Sequence, residues 1–214
     1  IKMQSIQSIC RGVPIVLLNI IRKFVEGNLV KWNKKQLVAY LRSKPDFRGV
    51  NLKGLNLDGS DLTRVDLSGL DFTGSTFTKA NLTGADLTRA NLRGTVLWGA
   101  NLTNVNFTRA DLTDATLYRA KLHGARLNRT NLYGANLYGA DLIGANLTGA
   151  DLTCTKLTAA RLEFAILTSA TCMDADLTDA DLTDADLTDA DLTGVNLTRA
   201  HLAKANLTNA KLTG

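Results

Sequence analysis

From Phe47 onward the chain alternates apolar and polar positions on a strict five-residue cycle, and the cycle runs to Leu212 without insertion or deletion. Every fifth residue is Leu or Phe, with Cys172 as the exception among 34 centres. Calling that centre i, position i−2 is small and usually Ala, i−1 is most often Asp or Asn, i+1 is mostly Thr, and i+2 is often Gly. A period of five matches neither the 3.6 of a helix nor the 2 of a long strand. It fits a three-residue extended piece followed by a two-residue bend. Positions i−2 and i then point inward together, while i−1 points out. If every bend turns the same way, the chain coils around a column of Leu and Ala, and successive coils pair at a spacing of ~4.8 Å. A period held this strictly predicts a stack of one small unit, an all-β solenoid.

The head of the chain reads differently. Residues 34–44, from Lys34 to Lys44, follow Asn33 as an N-cap and precede Pro45, which stops a helix. Leu37, Tyr40 and Leu41 fall on one face of that segment, so it is expected to be a short helix covering the first coil. A second helix is expected from Pro14 to Glu26, with Pro in its first turn and Gly27 at its end. Its run Ile15-Val16-Leu17-Leu18 is apolar on nearly every side. The domain reading is therefore a basic helical capping region over 1–44 and a repeat region over 45–214.

The pentads A-N-L-T-G at 80–84, A-D-L-T-R at 85–89 and A-N-L-T-G at 145–149 resemble the A-[DN]-L-x-x consensus of the pentapeptide-repeat proteins, and of the cyanobacterial type in particular. The resemblance implies a right-handed quadrilateral β-helix with four pentads per coil, about eight coils in all. Two features of the sequence agree with a coil of four pentads: Arg89, Arg109 and Arg129 recur at intervals of twenty, as do Trp98, Tyr118 and Tyr138. Some members of the family look like B-form DNA and bind type II topoisomerases (gyrase). Others are interaction or regulatory scaffolds.

Charge sharpens the division. The 214 residues carry a net charge of +5, but residues 1–44 hold nine Lys or Arg against Glu26 alone, while residues 45–214 hold sixteen basic and nineteen acidic side chains. Such a head suits either a cap with solvated lysines, an anionic membrane surface, or a docking partner. Against DNA, which carries one negative charge per ~1.7 Å of axis, the weakly acidic rod is sparsely charged. Direct nucleic-acid binding is not expected.

Three outward features depart from the Thr/Gly background. The first is the aromatic column Trp98, Tyr118, Tyr138, with Tyr133 one wall away; it reads either as a contact site or as a self-supporting ladder. The second is the arginine edge Arg89, Arg109, Arg129, with Arg119, Lys121 and Arg126 nearby and with Asp86 and Asp111 expected to weaken its field. The third is an acidic belt, Asp174, Asp176, Asp179, Asp181, Asp184, Asp186, Asp189 and Asp191. It lacks the Gly turn and closing Glu of an EF-hand and circles the rod, so no metal site is expected.

No catalytic, cofactor or metal site is expected. His123 and His201 are expected on different walls and four coils apart, which provides no nucleophile–base pair. Cys10, Cys154 and Cys172 form no paired framework and read as free thiols of a reducing, cytoplasmic compartment. A start at Ile1 leaves an upstream leader or membrane segment open. The expected role is a non-catalytic protein-interaction or regulatory scaffold with an unidentified protein partner. The alternatives are a topoisomerase-binding DNA mimic and a protein held at a membrane surface by residues 1–44. The repeat stops in phase at Leu212 without a terminal helix, which suggests end-to-end pairing of two copies through the last coil.

Overall fold

Stacking requires acceptors for the N–H groups that point along the axis, and where i−1 is Asp or Asn all five N–H groups of the pentad find one. In residues 81–85 the Leu82 N–H donates to Asn101 O in the next coil (2.7 Å), Gly84 N–H to Thr103 O (2.9 Å), and Asn81 N–H to Ser60 O in the preceding coil (2.8 Å). Ala85 N–H closes the bend onto Leu82 O (3.0 Å). The fifth, Thr83 N–H, has no backbone partner and donates to the Asn81 side-chain Oδ1 at 3.2 Å. Asp or Asn at i−1 is therefore an Asx cap of the bend as well as an outward polar residue.

The computed structural model describes residues 34–43 and 52–213. The chain divides into two compact units, Ile1–Asn51 and Leu52–Gly214. In the first, helix α1 spans Lys34–Arg42. Leu37, Tyr40 and Leu41 are buried, on the one face that the sequence assigned to them. Ser43 N–H ends the helix on Tyr40 O (3.0 Å), and the Ser43 hydroxyl donates to the same carbonyl (2.7 Å). The expected helix from Pro14 to Glu26 lies outside the described residues.

The second unit is a β-helix. Each outward i−1 residue forms an isolated parallel bridge with the residue twenty positions later, in an unbroken series from Asn56↔Thr76 to Asp191↔Lys211. Twenty residues are four pentads, so each coil has four walls. We number them by their first Leu: wall 1 from Leu52, wall 2 from Leu57, wall 3 from Leu62 and wall 4 from Leu67. The roughly eight coils from Leu52 onward span about 40 Å at ~4.8 Å per coil.

The core is the double column predicted. Leu82, Leu102, Leu122, Leu142 and their counterparts on the other walls are fully buried, as are Ala80, Ala100 and Ala140. Burial of each Leu contributes about 1.5–3 kcal/mol. Phe72 and Phe77 meet edge to face inside one coil, with centroids 5.4 Å apart and planes at 77°. At i−2 the threonine hydroxyls are bonded internally, Thr95 to Leu92 O (2.7 Å), Thr130 to Phe107 O (2.8 Å) and Thr155 to Leu152 O (2.6 Å), whereas the buried Ser60 hydroxyl has no partner. Cys172 takes a Leu position in the core, and burial pushes its thiol up to about 12.

Every i+2 residue from Gly54 to Asn209 is left-handed, with φ between 52° and 70°. The sequence marks this position as bend-tolerant, and the conformation is uniform whatever residue occupies it. Gly suits it, yet arginines, aspartates and Phe164 (φ 59°) adopt it too. The left-handed region costs a residue with a Cβ about 1–2 kcal/mol. The ladder bonds on either side outweigh that cost at each corner.

Three predictions follow from this geometry. Replacing Phe164 with Gly removes the left-handed penalty while adding about 0.5–1 kcal/mol of unfolded-state entropy. The net effect is a stability gain of about 0.5–1 kcal/mol, read as a higher urea midpoint at unchanged slope. Asp176, Asp181, Asp186 and Asp191 are each held below the ordinary 3.8, first by the hydroxyl of Thr178, Thr183, Thr188 and Thr193 respectively. A depressed folded value contributes stability above the unfolded value, which is lost as pH falls through the folded one. The urea midpoint is therefore expected to be level near neutrality and to drop below about pH 4; Thr183→Val should raise the Asp181 value in an NMR titration. Finally, iodoacetamide should label exposed Cys154 and spare Cys172 in the folded protein, as read by peptide mass.

Candidate functional site

Closure at twenty residues puts Trp98, Tyr118 and Tyr138 at the same place on wall 2 of three successive coils. Tyr118 and Tyr138 are stacked, with centroids 5.3 Å apart and planes within 8°, and Trp98 leans on Tyr118 at 6.5 Å and 57°. Two cations cover ring faces: Lys79 Nζ lies 5.6 Å from the Trp98 centroid and Arg119 Cζ 5.3 Å from that of Tyr118. Trp98 and Tyr138 remain 46% and 39% exposed, far more than any core residue, so the ladder is open to a partner. Tyr133 stands on wall 1 at 46% exposure, outside this stack.

Arg89, Arg109 and Arg129 line the edge between walls 4 and 1, all exposed and all left-handed. Among the described residues none of the three has an ion-pair partner. Asp111, expected to weaken their field, instead pairs with Arg93 at 3.3 Å. Asp86 Oδ1 accepts from the Thr88 N–H at 2.9 Å and caps its own bend. Arg126 and Lys121 are exposed on walls 4 and 3 of the same coil as Arg129.

The acidic belt fills one coil and splits into two sets. Asp176, Asp181, Asp186 and Asp191 occupy i−1 positions and spend Oδ1 on bend caps, as in Thr183 N–H to Asp181 (2.9 Å). Asp174, Asp179, Asp184 and Asp189 stand at the four corners. The following coil neutralises part of the belt: Arg199 makes a two-pronged pair with Asp179 (2.6 Å on each prong), and Lys211 meets Asp191 at 3.1 Å. Arg199 also holds the Asp179 carboxyl below its ordinary range. Among the described residues, no group of three or more His, Cys, Asp or Glu is placed to hold a metal ion.

One expectation is corrected by the register. His123 follows Leu122 and His201 precedes Leu202, and those centres lie four whole coils apart, so both histidines are on wall 3 rather than on different walls. The structure also adds residues that sequence reasoning passed over. Phe164 (61% exposed) and Ile166 (38% exposed) form an apolar spot at the edge between walls 3 and 4, directly before Asp184 and Asp186. The available signal was an aromatic residue at i+2, where every other residue is small, polar or charged. No helix among the described residues is long and apolar enough to cross a membrane.

The family model for pentapeptide repeats matches residues 46–78, 80–118, 116–153, 155–194 and 180–214. Among curated proteins, none matches the sequence. Among solved structures, a trypsin-treated form of QnrB1, a plasmid-mediated fluoroquinolone resistance protein, is 25% identical, with 75% of this chain and 83% of that one covered and a TM-score of 0.53. HetL, a pentapeptide repeat protein involved in heterocyst differentiation regulation from the cyanobacterium Nostoc sp. Strain PCC 7120, is 27% identical over 84% of this chain and 96% of its own, with a TM-score of 0.34. Rfr23 from the cyanobacterium Cyanothece 51142 is 27% identical over 74% and 88%, with a TM-score of 0.18. The solenoid is thus a right-handed β-helix, and this chain belongs to the pentapeptide-repeat family.

Proposed function

We propose that this protein is a non-catalytic scaffold that presents its flat walls to a protein partner, with the Trp98–Tyr118–Tyr138 ladder on wall 2 as the principal contact. The observation that carries the reading is the exposure of Trp98 and Tyr138 at the two ends of the stack, with Tyr118 half-buried between them. Large aromatic side chains dominate interface energetics, and the backbone ladder of the β-helix closes without them. The arginine edge Arg89, Arg109 and Arg129 is a second candidate contact, supported by its freedom from ion pairs among the described residues.

A DNA-mimicking role toward a type II topoisomerase is the alternative, and charge counts against it. A duplex would present about two dozen phosphates over this length, whereas carboxylates concentrate in the coil from Asp174 to Asp191 and the next coil pairs two of them. Contact with a membrane surface rests on residues 1–44, most of which lie outside the described residues. The free thiol of Cys154 supports a reducing, cytoplasmic setting.

Affinity capture from the native cell extract tests the reading. The wild-type chain is expected to retain a partner that the Trp98→Ala/Tyr118→Ala/Tyr138→Ala chain loses, with unchanged circular dichroism and urea midpoint for the variant. Capture of the same set by both chains would remove wall 2 from the interaction, and topoisomerase subunits in both eluates would favour the DNA-mimic alternative.

A further inference from the structure

The chemistry of wall 2 restricts what such a partner presents. Over five coils, from Thr76 to Ala159, the wall carries no carboxylate, the nearest on it being Asp58 before and Asp176 after. Asp114, on the edge shared with wall 1, turns its carboxylate along the axis over the next bend: a Cβ placed on Gly134 would lie 2.6 Å from its Oδ1. The same stretch holds Lys79, Arg119 and Lys156. Among the described residues none of these three cations has a carboxylate partner, whereas Arg93, Arg161, Arg199 and Lys211 all do.

The stacking geometry adds to this. The Tyr118–Tyr138 centroid distance of 5.3 Å with parallel planes is close to the coil spacing, so the rings are stacked along the axis and turn their edges outward. An aromatic edge carries the positive part of the ring quadrupole, and the Tyr hydroxyls and the Trp98 indole N–H are donors beside it. The ring faces are occupied by one another, by Lys79 and by Arg119, which leaves little platform for the base stacking that holds single-stranded nucleic acid. The strip is about 19 Å long and one short strand wide. At roughly 200 Å² it falls well below the ~800 Å² per partner of a stable interface between two folded surfaces, so a second copy of the rod is a poor match. An extended segment of about six residues covers it, at ~3.3 Å per residue.

We propose that wall 2 docks an extended acidic segment of a partner protein, its carboxylates set against Lys79, Arg119 and the outward ring edges, and its apolar side chains against the Trp98–Tyr118–Tyr138 ladder. The inference rests on the scaffold reading and narrows it to a partner chemistry.

The test uses the full chain and three labelled peptides of about eight residues that alternate Leu with Glu, Gln or Lys, read by fluorescence anisotropy. Because the basic residues 1–44 are present in every variant, the readout is the difference between variants. The Glu peptide is expected to bind best, to weaken at about 0.5 M salt, and to lose roughly tenfold in affinity with Lys79→Gln/Arg119→Gln, while Arg64→Gln/Lys204→Gln, exposed cations at the edge between walls 3 and 4, leaves it unchanged. Equal binding of the Gln peptide, loss only in the Arg64→Gln/Lys204→Gln chain, or no binding of any peptide would overturn the inference. So would tighter, competing binding of oligo(dT), or self-association in sedimentation equilibrium that Lys79→Gln/Arg119→Gln abolishes. If the peptides fail while the triple-alanine chain still loses its captured partner, the scaffold reading stands and only the acidic assignment falls.

Discussion

The structure depends on the bend in which residue i+2 turns left-handed, because that turn lets the i, i+2 and i−1 N–H groups all point along the axis to neighbouring coils. Once those three bonds are made, the Asx cap and the bend bond complete the pentad. The ladder then continues through Gly, Arg, Lys, Asn, Asp and even Phe164 at the corner. Cooperativity explains the tolerance. A corner residue with a Cβ costs about 1–2 kcal/mol, but the bonds made on both sides of it by adjacent coils are each worth about 1 kcal/mol net, and breaking them would leave buried groups unpaired.

That tolerance separates scaffold from function. Inward positions are filled by Leu, Phe, Ala, Val, Cys172 and small polar residues, nearly all buried, while outward positions carry a far wider range of side chains. Charge can therefore be sorted by coil and by wall: carboxylates crowd the coil from Asp174 to Asp191, and wall 2 is free of them over five coils. The sorting has limits that the fold itself imposes. Half of the acidic belt serves as bend caps for Thr178, Thr183, Thr188 and Thr193, so those carboxylates are partly committed to structure. The aromatic ladder has no such duty in the backbone ladder, which is why it carries the functional reading here.

Much of this was legible from local pattern. The pentad, the inward Leu and Ala columns, the polar character of i−1, and the short helix around Leu37, Tyr40 and Leu41 all express rules that act within a few residues: strand alternation, turn chemistry, and helix start and stop signals. The aromatic and arginine columns were also visible, because an interval of twenty survives in the sequence. What local pattern missed was Phe164 with Ile166, whose meaning lies in their exposure, and the wall shared by His123 and His201, which depends on keeping the register through four full coils.

By itself the sequence determined that one unit repeats, which side chains turn inward, and that a basic head precedes a weakly acidic rod. Only the tertiary structure decided which outward residues are neighbours. Every bend is specified locally, but a wall exists only after four bends have added up to a closed turn. A slightly different angle at each corner would bring another number of pentads round and regroup every surface column. Closure at twenty residues stacked Tyr118 on Tyr138, gave Asp111 to Arg93 rather than to the arginine edge, and left wall 2 without a carboxylate between Thr76 and Ala159.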